Sequence, residues 1–183
     1  VHGRTVAEKY QSPVHPACIA SAVEQMPFPV TANGNIVSVE TALAMAENTG
    51  ASGLMIGRGA IRNPWLFERI RNAFGNIDTP PPTLRDLRDY LVELSTEIEK
   101  EGDFDNELQL VHRLKKFSNY IASGIAEGEL SCQLRRAKTL SQFHASADHF
   151  LNSDSPFPEE PSDDGKLFCG FSALTSGSRD EDV

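Results

Sequence analysis

The sequence predicts an α/β unit with a parallel sheet, followed by an all-helical unit and an acidic tail. Three observations carry this. Short apolar runs alternate with amphipathic helical stripes over the first eighty residues, the signature of strand–helix–strand units. A proline-rich "IDTPPPT" (77–83) then interrupts the pattern as a stiff linker. Beyond it the apolar residues recur only at helical spacing, until "NSDSPFPEEPSDDGKLFCGFSALTSGSRDEDV" (152–183) replaces them with Ser, Asp, Pro and Gly.

Taken in order, "SPVHPACIASAVEQM" (12–26) is of helical length, and "FPVTA" (28–32) is a short β-prone run. Asn33-Gly34 comes next, which in isolation is a strong hairpin signal. A hairpin needs a second strand at once, and here a helix follows. Ser38 stands at an N-cap, Glu40 in the first turn, and Val39, Ala42, Leu43 and Ala46 make an i, i+3, i+4, i+7 stripe. Asn33-Gly34 therefore belongs to a βα loop. Gly50 closes that helix as a C′ residue. "SGLMIG" (52–57) is apolar without alternation, as in a strand covered on both faces. Asn63-Pro64 then reads as an N-cap with Pro at N1, and "WLFERIRNAF" as a helix ending at Gly75, with Trp65 and Phe67 as packing residues.

In the second unit Thr83 is placed to cap a helix with Leu84, Leu87, Leu91, Leu94 and Ile98 on one stripe, ending near Gly102. A second stripe comprises Leu110, Val111, Leu114, Phe117 and Ile121 and ends at Gly124. A short helix covers "ELSCQLRRAK". Thr139 and Gln142 have the spacing of a capping box for a last helix reaching Leu151. Four such helices make a small bundle. The boundaries are 1–78 for the α/β unit, 83–151 for the helical unit and 152–183 for a tail expected to be mobile. Its "LFCGF" (167–171) is the one stretch suited to docking.

Composition narrows the function classes. With 39% apolar and 23% charged residues, the chain is of ordinary globular composition. No run approaches the roughly 18 apolar residues of a membrane span. "VHGRT" lacks the basic and apolar regions of a signal peptide and reads like the middle of an element, as in a piece of a longer protein. Three scattered cysteines, Cys18, Cys132 and Cys169, form no C-x-x-C pair. They are expected to be reduced and buried in a cytoplasmic protein, without a metal or a disulfide. The net charge of −9 is unevenly spread, because six of the nine excess acids lie in 152–183. Between 111 and 140 the balance reverses: Arg113, Lys115, Lys116, Arg135, Arg136 and Lys138 face only Glu127 and Glu129. Such a stretch is either a solvated helix face or a patch that tracks nucleic-acid phosphates.

In parallel α/β layouts, ligands bind beyond the C-terminal ends of the strands. "HGRT" (2–5), "NGN" (33–35) and "GRG" (57–59) fall at three such ends. Glycines there let backbone N–H groups approach an anion, and a following helix N-terminus adds its dipole. Arg58 adds a guanidinium suited to phosphate. Each cluster alone is equally explained by the steric needs of βα turns.

In combination, "VHGRT", "PVTANGNI" and "GLMIGRGAIRNPWLF" in this order resemble the C-terminal part of tRNA-dihydrouridine synthases. The likeness covers about 1–75, and the helices from 83 to about 151 resemble that family's helical domain. The resemblance implies the last three strands or so of a (β/α)8 TIM barrel holding FMN, then a tRNA-binding bundle. The implied activity is reduction of tRNA uridine to 5,6-dihydrouridine with NADPH. By this likeness His2 contacts the flavin, Asn33, Gly34 and Asn35 serve the phosphate region, and Gly57 and Arg58 bind phosphate. The family favours Asp where Asn35 stands. Arg4, in the H-x-R pattern, is assigned to tRNA with Arg113, Lys115, Lys116, Arg135 and Arg136.

The family's catalytic cysteine and flavin-side lysine belong to the earlier part of the barrel. No catalytic residue is therefore expected in this chain, Cys18 is misplaced to substitute, and the isolated chain is expected to be inactive. A monomeric protein without metal or membrane partner is implied. The alternatives are another FMN- or phosphate-binding barrel oxidoreductase, such as a dihydroorotate-dehydrogenase-like protein, and a non-catalytic RNA-binding fragment.

Overall fold

A computed structural model describes residues 1–8, 12–163 and 167–175. The chain is mostly helical with a small parallel sheet, and it divides into two compact units, 1–78 with 160–183 and 79–159.

The first unit runs α1 (Pro16–Gln25), β1 (Thr31–Asn33), α2 (Val39–Thr49), β2 (Gly53–Met55), α3 (Arg58–Arg62) and α4 (Leu66–Phe74). β1 and β2 pair in parallel, with Thr31 opposite Gly53, Ala32 opposite Leu54 and Asn33 opposite Met55. On the other side of β1, His2 forms a parallel bridge to Asn33. There the Asn33 amide donates to the Val1 carbonyl at 2.9 Å and the Gly3 amide to the Asn33 carbonyl at 3.4 Å. Three chain segments thus lie side by side and end together. Val14, Ile19, Val30, Ala32, Ala42, Met45, Leu66 and Ile70 bury one shared core against them.

Local chemistry fixes the helix ends. Ser38 and Thr41 satisfy each other's backbone amides in a capping box at α2, and Gly50 ends it in the left-handed region (φ 63°). Two points differ from the sequence expectation. Asn63 does not cap a helix directly: it ends α3, a helix the periodicity did not reveal, and its Oδ1 accepts from the Trp65 amide so that α4 starts at Leu66. Phe67 is 50% exposed rather than packed. With Phe74, Leu54 and Ile56 it lines an open apolar cleft of about 650 Å³ beside β2.

The second unit holds α5 (Leu84–Glu101), α6 (Glu107–Ile121), α7 (Glu129–Arg136) and α8 (Leu140–Leu151). Leu87 and Leu91 of α5, Leu110, Val111 and Leu114 of α6, Leu130 and Leu134 of α7, and Phe143 and Leu151 of α8 are all buried. Thr83 caps α5 as expected, and with Asp86 it closes a capping box that the sequence reading did not include. At α8, Thr139 accepts from the Gln142 amide, but the Gln142 side chain turns to the Lys138 amide at 2.8 Å, one residue earlier than a capping box requires.

The tail departs most from expectation. Residues 152–157 return along the start of α5: Thr83 and Pro156 form an antiparallel bridge, the Leu84 amide donates to Ser155, and Arg85 meets Asp154 at 2.8 Å. Phe157 is buried. In the first unit Phe168, Phe171 and Leu174 are buried as well, Leu174 as part of the α/β core. Four apolar side chains are thus buried among the acidic residues, a pattern that average composition hides. Residues 164–166 and 176–183 of the expected tail lie outside the described residues. The cysteines also differ: Cys18 is exposed, and Cys132 and Cys169 are half-buried.

Leu114→Ala is expected to destabilise the helical unit by about 2–5 kcal/mol through the cavity it leaves. Thr83→Ala should cost about 1 kcal/mol by removing the cap. Urea midpoints followed by circular dichroism measure both, and a larger loss for Thr83→Ala would contradict this packing.

Candidate cofactor cleft

A cleft of about 190 Å³ opens at the end of the three paired segments. Its walls come from His2, from 33–37, and from Met55 with 57–59, so all six residues assigned to cofactor meet around one space. Gly59 belongs to the "GRG" cluster, whereas Ile36, Val37 and Met55 were not singled out. These three are apolar and carry no signal beyond lying next to the polar loops.

Each loop has a physical reason for its shape. Asn33 donates its side-chain amide to the Met55 carbonyl at 2.8 Å, tying the ends of β1 and β2 together. Gly34 has φ 143°, and a Cβ there would come within 2.9 Å of Val14, so only glycine serves. Asn35 is also left-handed (φ 50°), a conformation that asparagine tolerates better than most residues. It is 8% exposed, and its amide donates to the Gly170 carbonyl at 2.7 Å and to that of Cys169 at 3.4 Å.

The two glycines of "GRG" do different things. A Cβ at Gly59 would sit 2.2 Å from the Ile36 carbonyl oxygen, so α3 starts pressed against the Asn35 loop. A Cβ at Gly57 would meet nothing within 4 Å. No neighbouring atom crowds position 57, and the space beside it belongs to the cleft. α3 has only five residues, so the dipole expected behind this loop is small. Arg58 supplies the cationic wall instead. Its Nη1 donates to the Leu167 carbonyl and its guanidinium lies 5.9 Å from the centre of the Phe168 ring.

His2 stands at the rim. The Arg4 amide donates to its Nδ1 at 3.1 Å, which leaves the neutral ring's proton on Nε2. Partial desolvation, then the charges of Arg4 and Arg58, hold its pKa below the ordinary value. The rim is thus a neutral donor beside a cation, which favours an anionic or acceptor-rich ligand.

Arg4 lies differently from the surface position that a tRNA contact requires. It is 9% exposed and its Nε donates to the Ser12 carbonyl, so it braces the loop between His2 and α1. Arg62, which the sequence did not single out, is fully buried on α3, and burial pulls its pKa down to about 9. In the helical unit Arg113, Lys116, Arg135 and Arg136 are exposed on α6 and α7, Lys115 is half-buried, and Arg113 lies 5.8 Å from the Phe117 ring centre. Among the described residues none of these five makes an ion pair with an acid. No group of His, Cys, Asp or Glu among the described residues could hold a metal, and no described helix is long and apolar enough to cross a membrane.

The chain resembles known proteins over most of its length. The family model described as dihydrouridine synthase (Dus) matches residues 1–155. A probable tRNA-dihydrouridine synthase of Mycobacterium tuberculosis is 30% identical over 161 residues, covering 87% of this chain and 41% of that protein. One from Helicobacter pylori is 32% identical over 167 residues, covering 88% and 47%. The tRNA-dihydrouridine synthase B of Xanthomonas axonopodis pv. citri is 39% identical over 94 residues, covering 50% and 28%. The chain therefore spans less than half the length of these curated relatives.

Gly59→Ala is expected to lower stability by about 1–3 kcal/mol because the methyl meets backbone. Gly57→Ala should cost less, because its methyl meets no neighbouring atom. Thermal unfolding distinguishes them, and equal losses would contradict the cleft geometry. Removing one of the cations near His2, in Arg58→Gln, should raise the His2 midpoint in a proton NMR titration toward its ordinary value; a fall would contradict the arrangement.

Proposed function

Because this chain belongs to the dihydrouridine synthase family, we propose that it forms the C-terminal part of an FMN-dependent enzyme that reduces uridine in tRNA to 5,6-dihydrouridine with NADPH. The observation that carries this reading is the convergence of His2, Asn33, Gly34, Asn35, Gly57 and Arg58 on one cleft. The residues present fit an anionic cofactor: an arginine wall, a glycine facing open space and a neutral imidazole donor. At about 190 Å³ the cleft is smaller than the roughly 300–1,000 Å³ that enclose a small organic ligand. It is therefore assigned to the phosphate end, with the flavin ring bounded partly by residues outside this chain.

Arg58 binds the phosphate with its guanidinium, and Gly57 lets backbone approach it. Gly34 and Asn35 keep their loop turned toward it. His2 donates from Nε2 to an acceptor on the cofactor. FMN bound there supplies hydride, received from NADPH, to the C5–C6 double bond of the uracil. None of the assigned residues protonates the product, and Cys18 on α1 lies apart from them in the sequence; that acid belongs to another part of the enzyme.

The barrel reading is supported by β2. Among the described residues β2 pairs only with β1, and the apolar cleft beside it is open. A further strand and helix there would complete the sheet, and three strands cannot close a barrel. The helical unit is assigned to the tRNA body, because its exposed cations suit a phosphate backbone. The parent enzyme is proposed to be monomeric and cytoplasmic.

The test is to express the chain with its upstream coding region and titrate FMN by absorbance, then assay dihydrouridine in tRNA. Binding with uridine reduction is expected, and no reduction by the 183-residue chain alone. Failure to bind FMN would overturn the reading. Binding without uridine reduction would favour another flavin-dependent barrel oxidoreductase, and tRNA binding without FMN would favour an RNA-binding fragment.

Replacing Arg113, Lys115 and Lys116 together with Ala should weaken tRNA binding and reduce the magnitude of its logarithmic salt slope by about one for each phosphate no longer neutralised. An unchanged slope would return these residues to ordinary solvated surface.

A further inference from the structure

Residues 167–175 are bound to the cleft's own walls, and the bonds are specific. The Leu167 carbonyl accepts from Arg58 Nη1, the Phe168 ring lies against the same guanidinium, and the carbonyls of Cys169 and Gly170 accept from the Asn35 amide. The segment is anchored within and after these contacts. Phe168 is 2% exposed, Phe171 is buried, and the Ser172–Leu174 turn packs on α2 through Leu174. Asp163 accepts from the Gly170 amide at 2.6 Å and from the Ser172 hydroxyl, which holds the Gly170 turn (φ 74°) in shape.

Two readings of such a segment are physically distinct. A plug would fill the cleft and compete with the ligand. A strap would hold the walls from outside and favour the ligand. The cleft is lined by His2, 33–37, Met55 and 57–59, and none of the described residues of 167–175 is among them. Arg58 and Asn35 are therefore shared: each lines the cleft and each is gripped by the segment. That is the geometry of a strap.

Resting on the anion-cleft reading above, we infer that residues 167–175 are a C-terminal strap that positions Arg58 and the Asn35 loop for an anionic ligand. Asn35 has a defined role in this. Its amide can donate to two backbone carbonyls, whereas a carboxylate at 35 could only accept and would face those oxygens unfavourably. Asn35 is thus the latch, and Phe168 sets the direction of the guanidinium. Binding and strap docking are coupled, so each strengthens the other.

The experiment titrates inorganic phosphate into the 183-residue chain. Amide hydrogen exchange is followed at 33–37, 57–59 and 167–175, with the Nε–H resonance of Arg58 as a local signature. Phosphate should shift the Arg58 resonance and slow exchange in the strap as well as in the two loops. Phe168→Leu keeps the apolar anchor and removes the aromatic face. It should move the Arg58 resonance without phosphate and weaken phosphate binding roughly 3- to 30-fold. Phe168→Tyr should restore both. Asn35→Asp should speed exchange across 167–171 in the absence of phosphate. Faster strap exchange on adding phosphate would overturn the inference in favour of a plug. Phosphate affinity and an Arg58 resonance unchanged in Phe168→Leu would overturn it while leaving the cleft reading intact. No phosphate response at 33–37 and 57–59 in the wild type would overturn the cleft reading and the strap with it.

Discussion

The arrangement depends on one residue that stitches three chain segments together at a common level. Asn33 donates its backbone amide to Val1, accepts from the Gly3 amide, and donates its side chain to the Met55 carbonyl. The backbone bonds fix the first segment against β1, and the side-chain bond fixes β1 against β2. Parallel pairing sets direction, but the side-chain bond adds a polar tie where the ladder stops, and the loops after each segment then begin side by side. His2, Gly34 with Asn35, and Gly57 with Arg58 meet because of that level, although more than fifty residues separate the first from the last.

Glycine turns this alignment into a usable cleft. Gly34 and Gly59 are close-packing positions, one against Val14 and the other against the Ile36 carbonyl, and they bring the walls together. Gly57 is an open position and leaves one wall bare. The same residue type in adjacent loops thus does opposite work. The electrostatics are sparse but consistent: Arg58 supplies the charge, and partial desolvation, followed by the charges of Arg4 and Arg58, favours the neutral form of His2 as a donor.

Much of this was legible in the sequence because it is local. The Ser38 cap, the Gly50 stop, the Thr83 cap and the helical leucine stripes each depend on residues within a few positions of one another. The reading of Asn33-Gly34 as a βα loop was equally local, since the helix that follows leaves no room for a hairpin. The three polar clusters were recognisable because parallel sheets align their strand ends. What could not be read were relations across long separations and facts about burial. Arg4 looks like a surface cation and is a buried brace. Arg62 carries no local signal in the sequence and is fully enclosed. The tail reads as mobile on average composition, because Phe157, Phe168, Phe171 and Leu174 are few among many acids. Each finds a complementary site, two of them more than a hundred residues from their partners' positions in the chain.

The proposed function turns on recognition of the FMN phosphate by the Arg58 wall. FMN and riboflavin differ only in that phosphate, so comparing them isolates the interaction. Calorimetric titration of both into the chain carrying its upstream region, as wild type and as Arg58→Met, is the most direct measurement. Arg58→Met is expected to weaken FMN binding by about 10- to 100-fold, as when a charge-assisted hydrogen bond is removed, and to leave riboflavin binding unchanged. Equal losses for the two ligands, or no loss for either, would contradict this recognition.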